Sequence, residues 1–246
     1  MVEHKMNVGF YSAATSAYYQ QQRLNVISNN TANISTVGYK AQTPAFSALM
    51  YTNVNGIDGA QLPRGSGTRM EKTSTNFAQG EIYETTGMFD YAIEGNGFFA
   101  LRDMQTGEIS YTRAGNFQMA QVGNNYYLTD SSGIRYVLDR NGQTIPAARN
   151  ANGVIDVDAK LPVGVYVFQN RDDMQHLGDN RFVPIDKNGQ AQASDEQPLQ
   201  GWLERSNTDI TSEVTKVIRA QQAFSYALSM IRTSDEVETT INNLNG

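Results

Sequence analysis

The chain reads as an α+β protein, with long N- and C-terminal helices packed antiparallel as a coiled-coil-like stalk and a central antiparallel β-rich domain. Three observations predict this. Near the N-terminus, Phe10, Ala13, Ala17, Gln20, Leu24, Ile27, Thr31 and Ile34 recur in steps of three and four, which turns one narrow stripe of a helix toward a partner. The other end repeats the pattern in Ile210, Val214, Val217, Gln221, Phe224, Leu228 and Ile231. Between them the period falls to two, and turn residues recur about every ten positions, as in antiparallel sheets.

The first helix carries few charges. Between Met6 and Val37 only Arg23 is ionised, and the faces away from the stripe hold Asn, Gln, Ser, Thr and Tyr. A solvated helix face ordinarily carries Lys and Glu, so this composition predicts packing on several sides. Gly38 is the expected stop, with Lys40 beside the negative end of the helix. From Ala41 to about Gly80 the chain is punctuated by Pro44, Gly56, Gly59, Pro63, Gly65 and Gly67, which predicts an extended arm with little regular structure.

Strands are expected around Tyr91 and Ile93, Phe98 to Leu101, and Tyr111 to Met119. Val163, Val165 and Val167 alternate with other buried-type residues, so that strand should be covered on both faces. Asn141-Gly142, Asn152-Gly153 and Asn188-Gly189 are hairpin signals, because both residue types tolerate positive φ. Trp202 and Leu203 close the domain, and a helix follows from near Thr208 to about Leu244, capped by Thr208 or Asp209 with Glu213 in its first turn. About 36 residues at 1.5 Å each give roughly 54 Å, long for a compact domain. The expected organisation is a helical assembly domain of residues 1–38 plus 206–246, a linker arm at 39–79 and a β-rich domain at 80–205. If the helices pair, they form a stalk that leaves most of its surface open, and self-association into a helical polymer would bury it.

Composition excludes several classes. The formal charge of -6 without a Lys/Arg cluster argues against nucleic acid or an anionic membrane as the main partner. The absence of cysteine excludes disulfides and thiol chemistry. No apolar run approaches the roughly 18 residues of a membrane span, and the first residues lack a basic region and apolar core, so no membrane insertion and no cleaved signal peptide are expected. His4 and His176 are the only histidines, which supports neither a metal site nor a catalytic triad, and no cofactor is expected. Glu81 with Glu84, or Asp172, Asp173 and Asp179, would be the carboxylates of a glycan-cleaving alternative, and a stalked β-rich adhesin is a third reading. Arg113 is expected in a structural ion pair.

Several motifs resemble the bacterial flagellar rod and hook proteins. They are Asn25 to Lys40 (NVISNNTANISTVGYK), Asp90 to Phe99 (DYAIEGNGFF), Tyr111 to Phe117 (YTRAGNF), Gly201 to Asp209 (GWLERSNTD) and Ile218 to Phe224 (IRAQQAF), in the family's order and across nearly the whole chain. Thr31 stands where the family has leucine or isoleucine, and Gln222 where it has arginine. The resemblance implies a structural subunit of the flagellar basal body, most like the distal rod protein, with a proximal rod subunit or a hook-type axial protein as alternatives. It further implies export through the flagellar type III apparatus, polymerisation with itself and with other axial proteins, and terminal helices that line the export channel. On this reading the assembly residues are Phe10, Leu24, Ile27, Asn30, Asn33, Ile34, Val214, Val217, Gln221, Phe224, Leu228 and Ile231. The structural motif residues are Gly38, Lys40, Gly95, Gly97, Arg113, Gly115, Asn116, Phe117, Glu204 and Asn207.

Overall fold

The computed structural model describes residues 3–48, 52–55, 61–64, 68–147 and 160–244. Helix α1 spans Glu3–Ala32 and helix α2 spans Ile210–Leu244. The chain divides into two compact units, one made of Met1–Ala32, Gln42–Ser74 and Asp209–Gly246 and the other of Asn33–Ala41 and Thr75–Thr208.

In the first unit α1 and α2 pack along one another, and α1 also lies on the strand Gln42–Ala48. The start of α2 is capped as its sequence predicts: the Asp209 carboxylate accepts the amides of Thr211 and Ser212 at 3.2 and 3.1 Å. The end of α1 differs. The helix stops at Ala32, six positions before Gly38, and Asn33 and Ile34 lie in turns beyond it. Beyond it the backbone turns, with the Thr36 amide bonded to the Asn33 carbonyl at 3.1 Å and Thr36 Oγ1 donating to Asn33 Oδ1 at 3.1 Å. Neither Gly38 nor Lys40 therefore serves the helix terminus. The expected featureless arm is instead built of β-ribbons, with Gln42–Ala48 beside Thr68–Thr75 and Thr52–Asn55 antiparallel to Gln61–Arg64. Gly56, Gly59, Gly65 and Gly67 lie outside the described residues.

The second unit is organised on an antiparallel sheet of nine described strands. Its main path runs Gln175–Gly178, Arg181–Val183, Ile109–Thr112, Phe98–Asp103, Arg135–Val137, Asn125–Thr129 and Gln118–Val122, with Val165–Val167 between Phe98–Asp103 and Gln192–Ala193. Because side chains alternate along a strand, Phe98–Asp103 feeds two cores. Phe99 and Leu101 pack with Tyr91, Ile93, Phe117 and Leu128, while Phe98 and Ala100 pack with Phe77, Tyr111, Phe168 and Phe182. The strand at Val165 is buried, in agreement with its alternation of buried-type residues.

Two short pairings close the chain on itself. Ile82–Glu84 pairs with Trp202–Glu204, and Tyr91–Ala92 with Leu199–Gln200, so the residues that enter the sheet region meet those that leave it. Asn141-Gly142 makes its expected tight turn, with Gly142 at φ 73° and its amide bonded to the Asp139 carbonyl. Asn188-Gly189 does not form a hairpin. Asn188 ends a 3-10 turn, Asp186–Asn188, and its buried amide group donates to the Asn170 and Asp172 carbonyls while its oxygen accepts the Ile185 amide. Asn152-Gly153 lies outside the described residues. No helix among the described residues is long and apolar enough to cross a membrane.

Candidate functional site

The predicted motif residues of the second unit converge on one buried carboxylate. Glu204, 1% exposed, sits in the strand Trp202–Glu204, whose pairing with Ile82–Glu84 holds it against the core. Its Oε1 accepts from Lys40 Nζ at 2.6 Å and from the Gly80 amide at 2.7 Å, and its Oε2 accepts from Arg113 Nε at 2.8 Å. Arg113 spends its remaining donors on the backbone, at the carbonyls of Gly95 and Gly97, with Ile93 at 3.4 Å. Lys40 donates a second bond to the Ala78 carbonyl at 2.8 Å. Three ionised side chains are thus dehydrated together, and each nitrogen of the two cations has at least one acceptor, the condition for tolerating buried charge. Burial pulls the Lys40 ammonium from 10.5 to about 8 even with Glu204 beside it; the nearby Arg113 cation acts in the same direction as burial.

Glycines at 38, 97 and 115 occupy positions with no room for a side chain, Gly38 because it lies against the Arg113 backbone. Gly38 has φ 63°, and its amide donates to the Glu204 carbonyl at 2.7 Å. A Cβ on Gly115 would lie 1.7 Å from the Tyr91 carbonyl oxygen, and one on Gly97 would lie 2.2 Å from the Val165 side chain. Asn116 bridges Asp90, and Phe117 packs edge-on to Phe99 at 5.0 Å. Asn207 completes the arrangement: its oxygen accepts the Ala41 amide at 2.7 Å, its nitrogen donates to the Asn76 and Ala78 carbonyls, and its own amide bonds to the Tyr39 carbonyl. The segment that follows α1 and the segment that precedes α2 are therefore clamped side by side within the second unit.

The first unit holds the other predicted set except Asn33 and Ile34, which belong to the second. In α1, Ala13, Ala17, Ile27 and Asn30 are buried, and Phe10, Gln20 and Leu24 are half-buried. In α2 the covered stripe is Glu213, Val217, Ala220, Phe224, Ala227 and Ile231. Val214, Gln221 and Leu228 lie on the exposed flank one position over, while Val217, Phe224 and Ile231 belong to both series. Periodicity weighted by bulk selected Gln221 and Leu228 over their smaller neighbours Ala220 and Ala227. Close helix approach selects the smaller, so Ala220 and Ala227, seven residues apart, were the signal for the covered face. Asn30 joins the ends of the two helices: its nitrogen donates to the buried Glu213 carboxylate at 3.3 Å and to the Gln42 carbonyl at 2.8 Å, and its oxygen accepts the Gln42 amide at 2.8 Å. Lys216 donates to Glu213 at 2.5 Å. Arg23 lies over the Phe46 ring at 5.8 Å.

Two of the carboxylates weighed for glycan cleavage lie beside arginines. Glu81 is exposed and 3.6 Å from Arg205, and Asp179, at φ 49° in a tight turn, faces Arg135 and Arg181. His176 lies not in a polar turn but in the strand Gln175–Gly178, half-buried, with its ring 4.6 Å from Phe182 and Nε2 at 2.6 Å from Thr75 Oγ1; burial lowers its pKa. The His4 side chain lies outside the described residues, and no group of three potential metal-ligating side chains is present among those described.

Comparison with known proteins covers most of this framework. Residues 10–40 match the flagella basal body rod protein model, residues 92–160 the flagellar hook protein FlgE/F/G D1 domain, and residues 199–244 the flagellar basal body rod FlgEFG protein C-terminal model. The flagellar basal-body rod protein FlgG of Bacillus subtilis (strain 168) is 31% identical, over 95% of this chain and 97% of the relative. FlgG of Caulobacter vibrioides is 30% identical over 92% and 95% of the two chains. The rod protein FlgF of Mesorhizobium japonicum is 29% identical over 96% and 98%.

Proposed function

The chain belongs to the flagellar basal-body rod protein family, and we infer from that membership, with the structure beside it, that it is a structural subunit of the rod and not an enzyme. It resides in the flagellar basal body, assembles with other axial proteins and serves motility. The finer reading is that α1 and α2 form an antiparallel coiled-coil-like stalk through which copies polymerise helically, after export through the flagellar type III apparatus, into a tube whose inner wall encloses the export channel. Within the family we propose the distal rod position, which rests on the resemblance of the arm and of the Gly97 to Phe99 region.

The observation that carries the polymer reading is the composition of α1 outside its contact with α2. Every exposed residue from Gly9 to Ala32 is uncharged, and the one cation in that span, Arg23, is half-buried and turned onto Phe46. A helix that stays in water gains solubility from charge; one that ends up between other helices cannot leave charge unpaired. Sedimentation of the purified chain across a concentration series tests the reading. Large assemblies above a threshold concentration support it, and a monomer at every concentration contradicts it.

A further inference from the structure

We propose that Asn141 is a site of spontaneous covalent modification, at which the Gly142 backbone nitrogen attacks the Asn141 side-chain amide and the residue ends as aspartate or isoaspartate. Glycine is the successor that leaves most room for this attack, because it has no Cβ to crowd the ring that forms. Three Asn-Gly steps lie wholly among the described residues, at 96, 141 and 188, and the fold treats them differently. Asn188 is closed to the reaction. It is completely buried, its nitrogen donates to the Asn170 and Asp172 carbonyls, and its oxygen accepts the Ile185 amide. Asn96 is exposed but tethered, since Arg171 donates to its oxygen at 2.6 Å and a Cβ on Gly97 would stand 2.2 Å from the Val165 side chain. Asn141 is the open one. Its exposed side chain bonds to nothing among the described residues, and a Cβ on Gly142 would meet no atom within 4 Å.

The turn that carries Asn141 is braced at its base and free at its tip. The Asp139 amide donates to the Gln143 carbonyl at 2.8 Å and Leu138 bridges Thr144, while the Gly142 amide is held only within the turn, by the Asp139 carbonyl at 3.1 Å. Releasing that bond frees the attacking nitrogen without unpairing a strand, the kind of local opening that exposed loop tips undergo at low cost. Arg102 donates to the Gly142 carbonyl at 2.7 Å, which sets a cation beside a nitrogen that turns anionic as it attacks. The Asp139 carboxylate of the same turn is occupied by the amides of Asn141 and Gln143. Asn141 also lines a cleft of about 330 Å³ with Arg140, Lys160 and Glu196, so water has access. In the reaction the Gly142 nitrogen loses its proton and bonds to Asn141 Cγ, and the side-chain nitrogen leaves with that proton as ammonia. Water then cleaves either carbon–nitrogen bond of the cyclic imide: the bond to Cγ yields aspartate, the bond to the Asn141 main-chain carbon yields isoaspartate. One water is consumed and one ammonia released. Either product adds a negative charge to the formal -6, and isoaspartate lengthens the main chain by one carbon at the turn.

The test holds the full chain in warm, mildly alkaline buffer, with a parallel sample unfolded in urea. Both are digested in acid, where the reaction is slow, and the peptides are followed by mass spectrometry for the change from amide to acid. In urea the three Asn-Gly steps should convert at similar rates. In the folded chain Asn141 should convert within about ten-fold of its urea rate, and Asn96 and Asn188 at least about ten-fold more slowly than Asn141, because theirs must wait for the structure to open. A folded Asn141 that falls further than this below its urea rate, or that does not lead both other steps by this factor, overturns the proposal.

Discussion

Removing the charge of Glu204 should be among the most damaging single substitutions in the β unit. In Glu204→Gln the side chain keeps its volume but can no longer balance Lys40 and Arg113, which are 1% and 4% exposed. One of the two former carboxylate oxygens becomes an NH2 that faces a donor, either Lys40 Nζ and the Gly80 amide or Arg113 Nε. Breaking a buried ion pair from one side typically costs about 3–5 kcal/mol, because the partner charge stays buried. Lys40→Met is the informative comparison. It leaves Glu204 paired with Arg113 and replaces a dehydrated cation by an apolar chain of similar reach, so it should cost less than about 2 kcal/mol. The double variant should be more stable than Glu204→Gln alone, since the second change removes one stranded cation. Trp202, the only tryptophan, lies two residues from Glu204 in the same strand and reports urea unfolding directly. Equal losses for Lys40→Met and Glu204→Gln, or a loss under about 1 kcal/mol for the latter, would refute the view that one carboxylate anchors both cations.

Three further outcomes follow from particular contacts. With a folded pKa of about 8 against 10.5, Lys40 is neutral in the fold and protonated in the unfolded chain across pH 8 to 10. The unfolded state therefore binds more protons in that window, and stability should rise with pH by up to about 3 kcal/mol, with no such rise in Lys40→Met. The buried Tyr91, Tyr111 and Tyr166, whose pKa values are raised, oppose this only above their ordinary value near 10, so urea midpoints at pH 7.5 and 9.5 isolate the lysine. Gly115→Ala places a Cβ 1.7 Å from the Tyr91 carbonyl oxygen and should cost at least about 3 kcal/mol, whereas Gly107→Ala, at φ 73° with open space around it, should cost about 1 kcal/mol; thermal unfolding separates the two. Leu24→Asp and Phe224→Asp place a charge in the seam between the terminal helices and should abolish assembly in a pelleting assay while leaving the Trp202 unfolding midpoint unchanged; normal pelleting by both would sink the seam reading.

The two terminal helices and the β-rich middle were legible because each rests on local periodicity, which a sequence displays directly. The clamp was not. Its members were recognisable as motif residues, but Lys40 and Glu204 are 164 positions apart, and no spacing rule places the two on one another. The phase of α2 was misjudged for a different reason. Ile210, Val214 and Leu228 look like a seam by bulk, yet tight helix packing buries Ala220 and Ala227. The stop expected at Gly38 failed because α1 ends in turns from Asn33 onward, and Gly38 is needed instead where its backbone meets that of Arg113. The arm read as featureless since two-stranded ribbons of polar residues show neither period clearly. Asn188-Gly189 has the composition of a hairpin turn, but its asparagine is completely buried and satisfies backbone groups of a loop.

The most direct test of the account is electron cryo-microscopy of the purified chain at high concentration, with circular dichroism of the dilute protein alongside. The account predicts helical tubes whose inner wall is built from α1 and α2 of many copies. A dilute and concentrated protein that is equally helical and always monomeric would contradict it.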